Sequence, residues 1–301
     1  MANYTADLLG GKKTRKRFIG MKTKRAISSS ITHTLLFTLS IIWLVPLAYL
    51  IVQSFRAEKG AWSNTFFPNS WTFNNYVKLF TQTKFIRWYL NTLLVSICSC
   101  AITTMFVLMV AYAFSRIRFK ARKPLMNVML ILGMFPGFMS MTAVYFLLKI
   151  LLPTSYQSLL SLIIVYSAGA SLQYYIAKGF FDTVPKALDE AAKIDGASRA
   201  EVFWKITIPL SKPIIIYTIL ISFIAPWGDY IFVSFIMSGV SDTGMYTVSL
   251  GMYKWLEREQ IDNYFTIFCS AAVIVALPIT ILFMWLQKYY VEGITGGSVK
   301  G

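Results

Sequence analysis

The chain has 301 residues, of which 56% are hydrophobic and only 14% charged, and its mean hydropathy is +0.58. A water-soluble domain carries about 25% charged residues, so this apolar surplus calls for an apolar solvent and excludes disordered, collagenous and small disulfide-stapled classes. The net charge of +16 arises from 29 Lys+Arg against 13 Asp+Glu. No basic helix with interleaved aromatics stands free of the apolar stretches, so the excess reads as membrane topology and no nucleic-acid partner is expected.

In chain order, residues 1–30 form a basic tail (Lys12, Lys13, Arg15, Lys16, Arg17). Six apolar stretches of about 20 residues follow, at 31–52, 89–114, 125–148, 158–177, 213–237 and 265–287, each long enough to cross a bilayer as a helix. The first is too long for a signal-peptide core and no small-residue cleavage site follows it, so it is read as a retained span. Residues 288–301 make a C-terminal tail. The expected fold is therefore all-α and integral to the membrane, with a six-span domain over residues 31–287.

Orientation follows from Lys and Arg. The segments 1–30, 115–124, 178–212 and 288–301 carry 21 of them, and the alternate segments 53–88, 149–157 and 238–264 carry 8. The richer set lies in the cytoplasm, with both termini inside. The run Ser115-Arg-Ile-Arg-Phe-Lys-Ala-Arg-Lys123 is the clearest pointer. The outer segment 53–88 holds Trp62, Phe66, Phe67 and Trp71, and such rings favour the membrane interface.

The inner loop 178–212 reads as two short amphipathic helices. Pro185 opens the first, and Val184, Ala187, Leu188, Ala191, Ala192 and Ile194 recur at helical spacing. Gly196 is a left-handed stop, and Ser198-Arg-Ala-Glu201 is a capping box that starts the second helix. Val202, Phe203 and Ile206 form its stripe, and Pro209 is expected to end it. Such a hairpin needs a surface for its apolar stripe: its own bundle, the lipid, or a groove on another protein. Asp189, Glu190, Asp195 and Glu201 nearly balance the six basic residues of the loop, which disfavours lipid and favours a protein groove.

Chemistry is sparse. Cys98, Cys100 and Cys269 lie inside apolar stretches without zinc-ligand spacing, and His33 is the single histidine. Gly10-Gly-Lys-Lys-Thr14 has the letters of a phosphate-binding loop without its spacing, and no H-E-x-x-H or G-x-S-x-G occurs. No catalytic residue, metal site or cofactor is expected, and the chain cannot cradle a nucleotide in the usual way. In the fifth span, Asp229 is a costly intramembrane carboxylate that should face the bundle or a watery path. Winding that span at roughly 100° per residue puts Ser222, Trp227, Asp229, Tyr230 and Ser234 in one arc, a candidate substrate pathway. Pairing of Asp229 with a neighbouring Lys or Arg is the alternative.

The run Glu190-Ala-Ala-Lys-Ile-Asp195-Gly196-Ala-Ser-Arg-Ala-Glu-Val-Phe203-Trp-Lys-Ile206-Thr-Ile-Pro209-Leu-Ser-Lys-Pro213 resembles the EAA loop of bacterial ABC importer permeases, in its carbohydrate-importer form. The ending Tyr290-Val-Glu-Gly293-Ile-Thr295-Gly-Gly-Ser-Val-Lys300-Gly301 resembles the tail of maltose-type permeases. The resemblance implies a type I importer permease fold in a bacterial inner membrane. It further implies a second, different six-span permease, two cytoplasmic ABC ATPases that each receive one EAA loop, and an extracytoplasmic sugar-binding protein that delivers an oligosaccharide, malto-oligosaccharides being favoured. By similarity Glu190, Ala191, Ala192, Asp195 and Gly196 belong to the ATPase-coupling surface. An ion-coupled secondary transporter is the runner-up; the chain shows neither the paired repeats nor the intramembrane carboxylate clusters common in that class.

Overall fold

The computed structural model describes residues 21–60 and 65–298. The basic cluster Lys12–Arg17 of the N-terminal tail, Trp62 and the last three residues lie outside the described residues. The chain divides into two units, one reaching Tyr49 and one beginning at Leu50. The first ends within the helix Met21–Ser54, whose apolar side chains are exposed all round, Leu36 at 55% and Trp43 at 75%. A helix apolar on every side is built for a bilayer.

Among the described residues three helices are long and apolar enough to cross a membrane: Arg25–Ser54, Phe85–Arg116 and Ile261–Lys288. Three further pairs qualify only when taken across a bend. The expected third span is Arg122–Met134 plus Gly137–Leu151, bent by 104° at Phe135 and Pro136. Pro136 supplies no backbone N–H and pushes its predecessor out of the helical region, which is why this stretch is not the straight span expected. The fourth is Leu159–Ala168 plus Ser171–Thr183, bent by 41° at Gly169 and Ala170. The fifth starts as Lys212–Gly228, which carries Pro226 inside it, is extended at Asp229, and resumes as Ile231–Ile236. Preceding it at 81° runs Arg199–Leu210. The last helix continues to Ser298, well beyond the expected end of the sixth span.

Phe85–Arg116, the second span, is the spine of the larger unit. Near its outer end Phe85 and Trp88 pack with Leu79, Trp227, Met252 and Trp255. Val95 joins Leu148, Leu162, Val233 and Ile236. Toward its inner end Val107, Leu108 and Ala111 pack with Ala177, Phe181, Phe203 and Ile214. The outer loop after the fifth span folds back onto this spine: Trp88 Nε1 donates to Thr243 O (2.7 Å), Asn91 to Gly244 O (2.8 Å), and Val248 N to Thr92 Oγ1 (2.8 Å). The aromatic outer segment is anchored too. Arg56, 2% exposed, donates to Gln53 Oε1 (2.6 Å) and Thr65 O (2.7 Å), while Asn75 bonds the carbonyls of Ser54 and Arg56 and accepts from Thr266 of the last span.

One close approach sets the outer end. A Cβ on Gly251 would lie 2.2 Å from the Trp88 ring, whereas one on Gly179 would meet nothing within 4 Å. Gly251→Ala is therefore expected to destabilise by about 1–3 kcal/mol through overpacking, and Gly179→Ala to be neutral or stabilising. Thermal unfolding of the detergent-purified protein, followed by tryptophan fluorescence, checks both.

Candidate functional site: a two-helix hairpin and a cavity at the helix breaks

The inner hairpin forms as its sequence directs. Lys186–Ile194 is a helix that ends on Gly196 at φ +86°. The Ala197 N–H reaches back to Ala192 O (2.9 Å) and the Gly196 N–H to Lys193 O (3.1 Å), so the orphan carbonyls of the last turn are satisfied. At the next helix start Ser198 Oγ accepts from Glu201 N (3.2 Å), and Glu201 Oε2 accepts from Ser198 N (3.0 Å). The Ser198 N–H, then Lys205 at 2.9 Å, hold the Glu201 carboxyl down at about 2 from 4.5. A depressed carboxyl stabilises above its unfolded value and loses that only as pH falls toward the folded one, so this cap is fully charged at neutral pH. Pro209 does not end the second helix, contrary to expectation. Val202–Thr207 widens into a π-turn, with Ile208 N bonding Phe203 O, and the helix runs on to Leu210. The wider turn removes the clash that Pro209 would make with the carbonyl four residues back.

Part of the first helix's apolar stripe faces out. Ala187, Ala191 and Ile194 are exposed, Ile194 at 86%, with Leu188 at 43% and Glu190 and Asp195 beside them; Ala192 is half-buried. The apolar surface of the hairpin is thus divided: Val184, Val202 and Phe203 are buried, Phe203 in the bundle core with Val107 and Phe181, while the Ala187–Ile194 face is left open. The inward residue is Asp189, which sequence counted only as a surface charge. Its Oδ2 lies 2.9 Å from Arg116 Nε at the inner end of the second span, with both side chains nearly buried. Arg116 Nη2 also donates to Val184 O (2.9 Å), and Tyr112 OH to Arg199 O (3.3 Å). Arg116 had been read only as a topology signal. Its pairing has no sequence signature, since acid and base are more than seventy residues apart.

The second feature is a cavity of about 750 Å³ where the third, fourth and fifth spans are interrupted. Its polar lining is Ser140, Tyr166, Gln173, Ser222 and Asp229, on otherwise apolar walls that contain no Lys or Arg. Asp229 accepts from Tyr166 OH (2.9 Å) and from Phe232 N (3.0 Å), capping the helix after the break, and Ser249 Oγ donates to Asp229 O (2.9 Å). Ser222 Oγ bonds Gln173 Oε1 (3.3 Å). Among the described residues no Lys or Arg forms an ion pair with Asp229.

Of the five expected pathway residues the structure brings only Ser222 and Asp229 to this cavity. Trp227 is 3% exposed in the outer core, edge-on to Tyr89 (5.2 Å between centroids). Tyr230 stacks on Tyr253 of the outer loop (3.6 Å), and Ser234 bonds Ile231 O (2.9 Å). The common arc presumed an unbroken helix, and the extended backbone at Asp229 resets the winding. Tyr166 and Gln173 were missed; polar side chains flanking Gly169 were the available signal.

The family model described as "Binding-protein-dependent transport system inner membrane component" matches residues 103–296. Over 281 residues the chain is 34% identical to the maltodextrin transport system permease protein MalD of Streptococcus pneumoniae, covering 93% of this chain and 99% of that relative. It is 33% identical over 285 residues to the galactooligosaccharides transport system permease protein GanQ of Bacillus subtilis, with the same coverage. Among solved structures, that of a bacterial ABC transporter involved in the import of the acidic polysaccharide alginate matches at a TM-score of 0.76 over 91% of this chain and 99% of that one. At 19% identity this likeness speaks for the fold alone, which is that of an ABC importer permease. With a family match over most of its membrane domain and relatives a third identical nearly end to end, the chain belongs to the inner membrane components of binding-protein-dependent transport systems.

Proposed function

We propose that this chain forms one half of the translocation path of an ATP-driven importer for a neutral oligosaccharide, malto-oligosaccharides being favoured, and that its inner hairpin couples the path to a separate ATPase. The observation that carries the reading is the hairpin: an apolar face with Ile194 86% exposed, held rigidly from behind by the nearly buried Arg116–Asp189 pair. A rigid, small-residue, outward face is what a groove on a partner requires. In this reading both termini are cytoplasmic, and residues 1–30 and 288–301 flank the six-span domain as tails. Two ATPases, a second and different six-span permease, and an extracytoplasmic sugar-binding protein complete the assembly. Neutral sugar fits the cavity because its wall carries hydroxyls, an amide and one carboxylate without a cation to meet an acidic sugar. The maltodextrin and galactooligosaccharide relatives support the oligosaccharide class. Nothing in the comparisons supports ion coupling.

Three outcomes test it. Gly196→Val is expected to abolish sugar-stimulated ATPase activity of the assembled complex in liposomes while leaving the protein in the membrane. A side chain there meets no steric obstacle, so the loss is backbone strain of about 1–2 kcal/mol that re-aims the second helix. Gly196→Asn should retain most activity, and Glu190→Lys should lose it by reversing charge at the contact; normal stimulation in Gly196→Val and Glu190→Lys would remove the hairpin from coupling.

Breaking the Arg116–Asp189 pair by Arg116→Ala leaves a buried carboxylate and is expected to cost about 3–5 kcal/mol, whereas Arg116→Met with Asp189→Leu should restore most of it. Thermal unfolding and ATPase copurification of the single and double variants measure this.

For the path, Asp229→Asn and Tyr166→Phe are expected to assemble normally and change uptake rate or sugar preference, read with the purified binding protein and a panel of sugars. Parental uptake of every sugar by both variants would take the cavity out of the path.

A further inference from the structure

A second cavity, of about 380 Å³, lies behind the coupling hairpin, against the inner end of the second span and the connection that follows it. Six cationic side chains line it: Arg116, Arg118, Arg122, Lys186, Lys193 and Arg199. Only two carboxylates, Asp189 and Glu190, face them. Asp189 is taken by Arg116, and nearby Asp182 is held by Lys178 (2.5 Å) and Ser115 (2.7 Å). Cations thus outnumber carboxylates in the lining by four, with Asp182 outside it also facing Arg122. Arg116 sharpens the point. Its side chain is 5% exposed, yet Nη1 has no hydrogen-bond partner, and Asp189 Oδ1 beside it is also unsatisfied. A buried donor and a buried acceptor left open in one polar cavity mark a place where something with both functions fits.

The geometry points to a site for a phosphate-bearing anion that also carries a hydroxyl. Guanidinium forks match phosphate oxygens in bidentate fashion, and several cations converging from two segments suit a group with more acceptors than a carboxylate has. The hydroxyl satisfies Asp189 Oδ1. Two sources share this chemistry: the head group of a phosphatidylglycerol-type lipid, and phosphate or a phosphate ester in solution. The depth suits either, because the connection joins two spans at the membrane edge, where basic pockets between helices take anionic head groups. An anion here would tie Arg118 and Arg122 of the connection to Lys186 and Lys193 of the coupling helix, stiffening the hairpin from behind. This regulatory role rests on the reading of the hairpin as the ATPase contact; the binding site itself does not.

The test titrates the detergent-purified complex with phosphatidylglycerol, and separately with inorganic phosphate, reading bound adducts by native mass spectrometry. Arg118→Gln with Arg122→Gln should weaken binding roughly thirtyfold, at about a factor of five for each cation removed. Lys120→Gln with Lys123→Gln removes the same charge from the same connection outside the cavity and should leave binding unchanged. Displacement of lipid by phosphate supports the site with either source; lipid binding that phosphate does not displace supports it and assigns the lipid. Equal weakening in both double variants reduces the effect to general surface charge and overturns the proposal, as does no weakening in either. Sugar-stimulated hydrolysis by the parental complex is scored separately, so its absence counts against the coupling reading and not against the anion site.

Discussion

Inside a bilayer a backbone N–H or C=O finds no water, and each one left open costs several kcal/mol. Three of the helix interruptions among the described residues, at Phe135–Pro136, Gly169–Ala170 and Asp229–Tyr230, are therefore closely constrained. They fall around one cavity, and the side chains there serve the backbone first. Asp229 caps the helix after its own break through the Phe232 N–H, and Ser249 takes up the Asp229 carbonyl. Irregular backbone at this depth is tolerated where it is buried in protein or lines a water-filled space. A carboxylate that closes a helix end on one side and bonds the Tyr166 hydroxyl on the other leaves a polar patch on an apolar wall. The helix cap and the polarity of the cavity wall thus reside in the same atoms.

Much of this was legible in the sequence, for reasons that also mark where reading fails. Spans are visible because hydropathy averages over twenty residues; that averaging hides a proline or glycine break, so the stretch 125–148 looked straight. The hairpin was readable to the residue because Gly196 and the Ser198–Glu201 box are local devices whose geometry depends on near neighbours. Asp189 was misread because its partner Arg116 is distant in sequence, and only packing brings them to 2.9 Å. Trp227 failed by a different route. Angular position on a helix is meaningful only while the helix is continuous, and its assignment borrowed its direction from residues beyond the break at Asp229. Pro209 shows the converse, a strong local stop overridden when the preceding turn widens to admit it.

A contiguous chain of contacts joins the hairpin to the cavity. Asp189 grips Arg116, the last residue of the second span, and Tyr112 one turn earlier packs on Phe203 of the second hairpin helix (5.0 Å between centroids). That span is one uninterrupted helix of 32 residues, so a push at its inner end is carried along its axis rather than absorbed. Midway, Thr103 bonds the carbonyl of Tyr166 (3.4 Å), the residue whose hydroxyl holds Asp229. The contrast between elements is the point. The second span is continuous and packed along its length, while the third, fourth and fifth are each hinged at the cavity. If the hairpin is the ATPase contact proposed above, a continuous rod set against three interrupted helices is suited to turn its motion into a change of cavity shape. Contact of this kind gives a route, and its energy is accessible to double-mutant cycles at side-chain pairs such as Tyr112 with Phe203 and Tyr166 with Asp229.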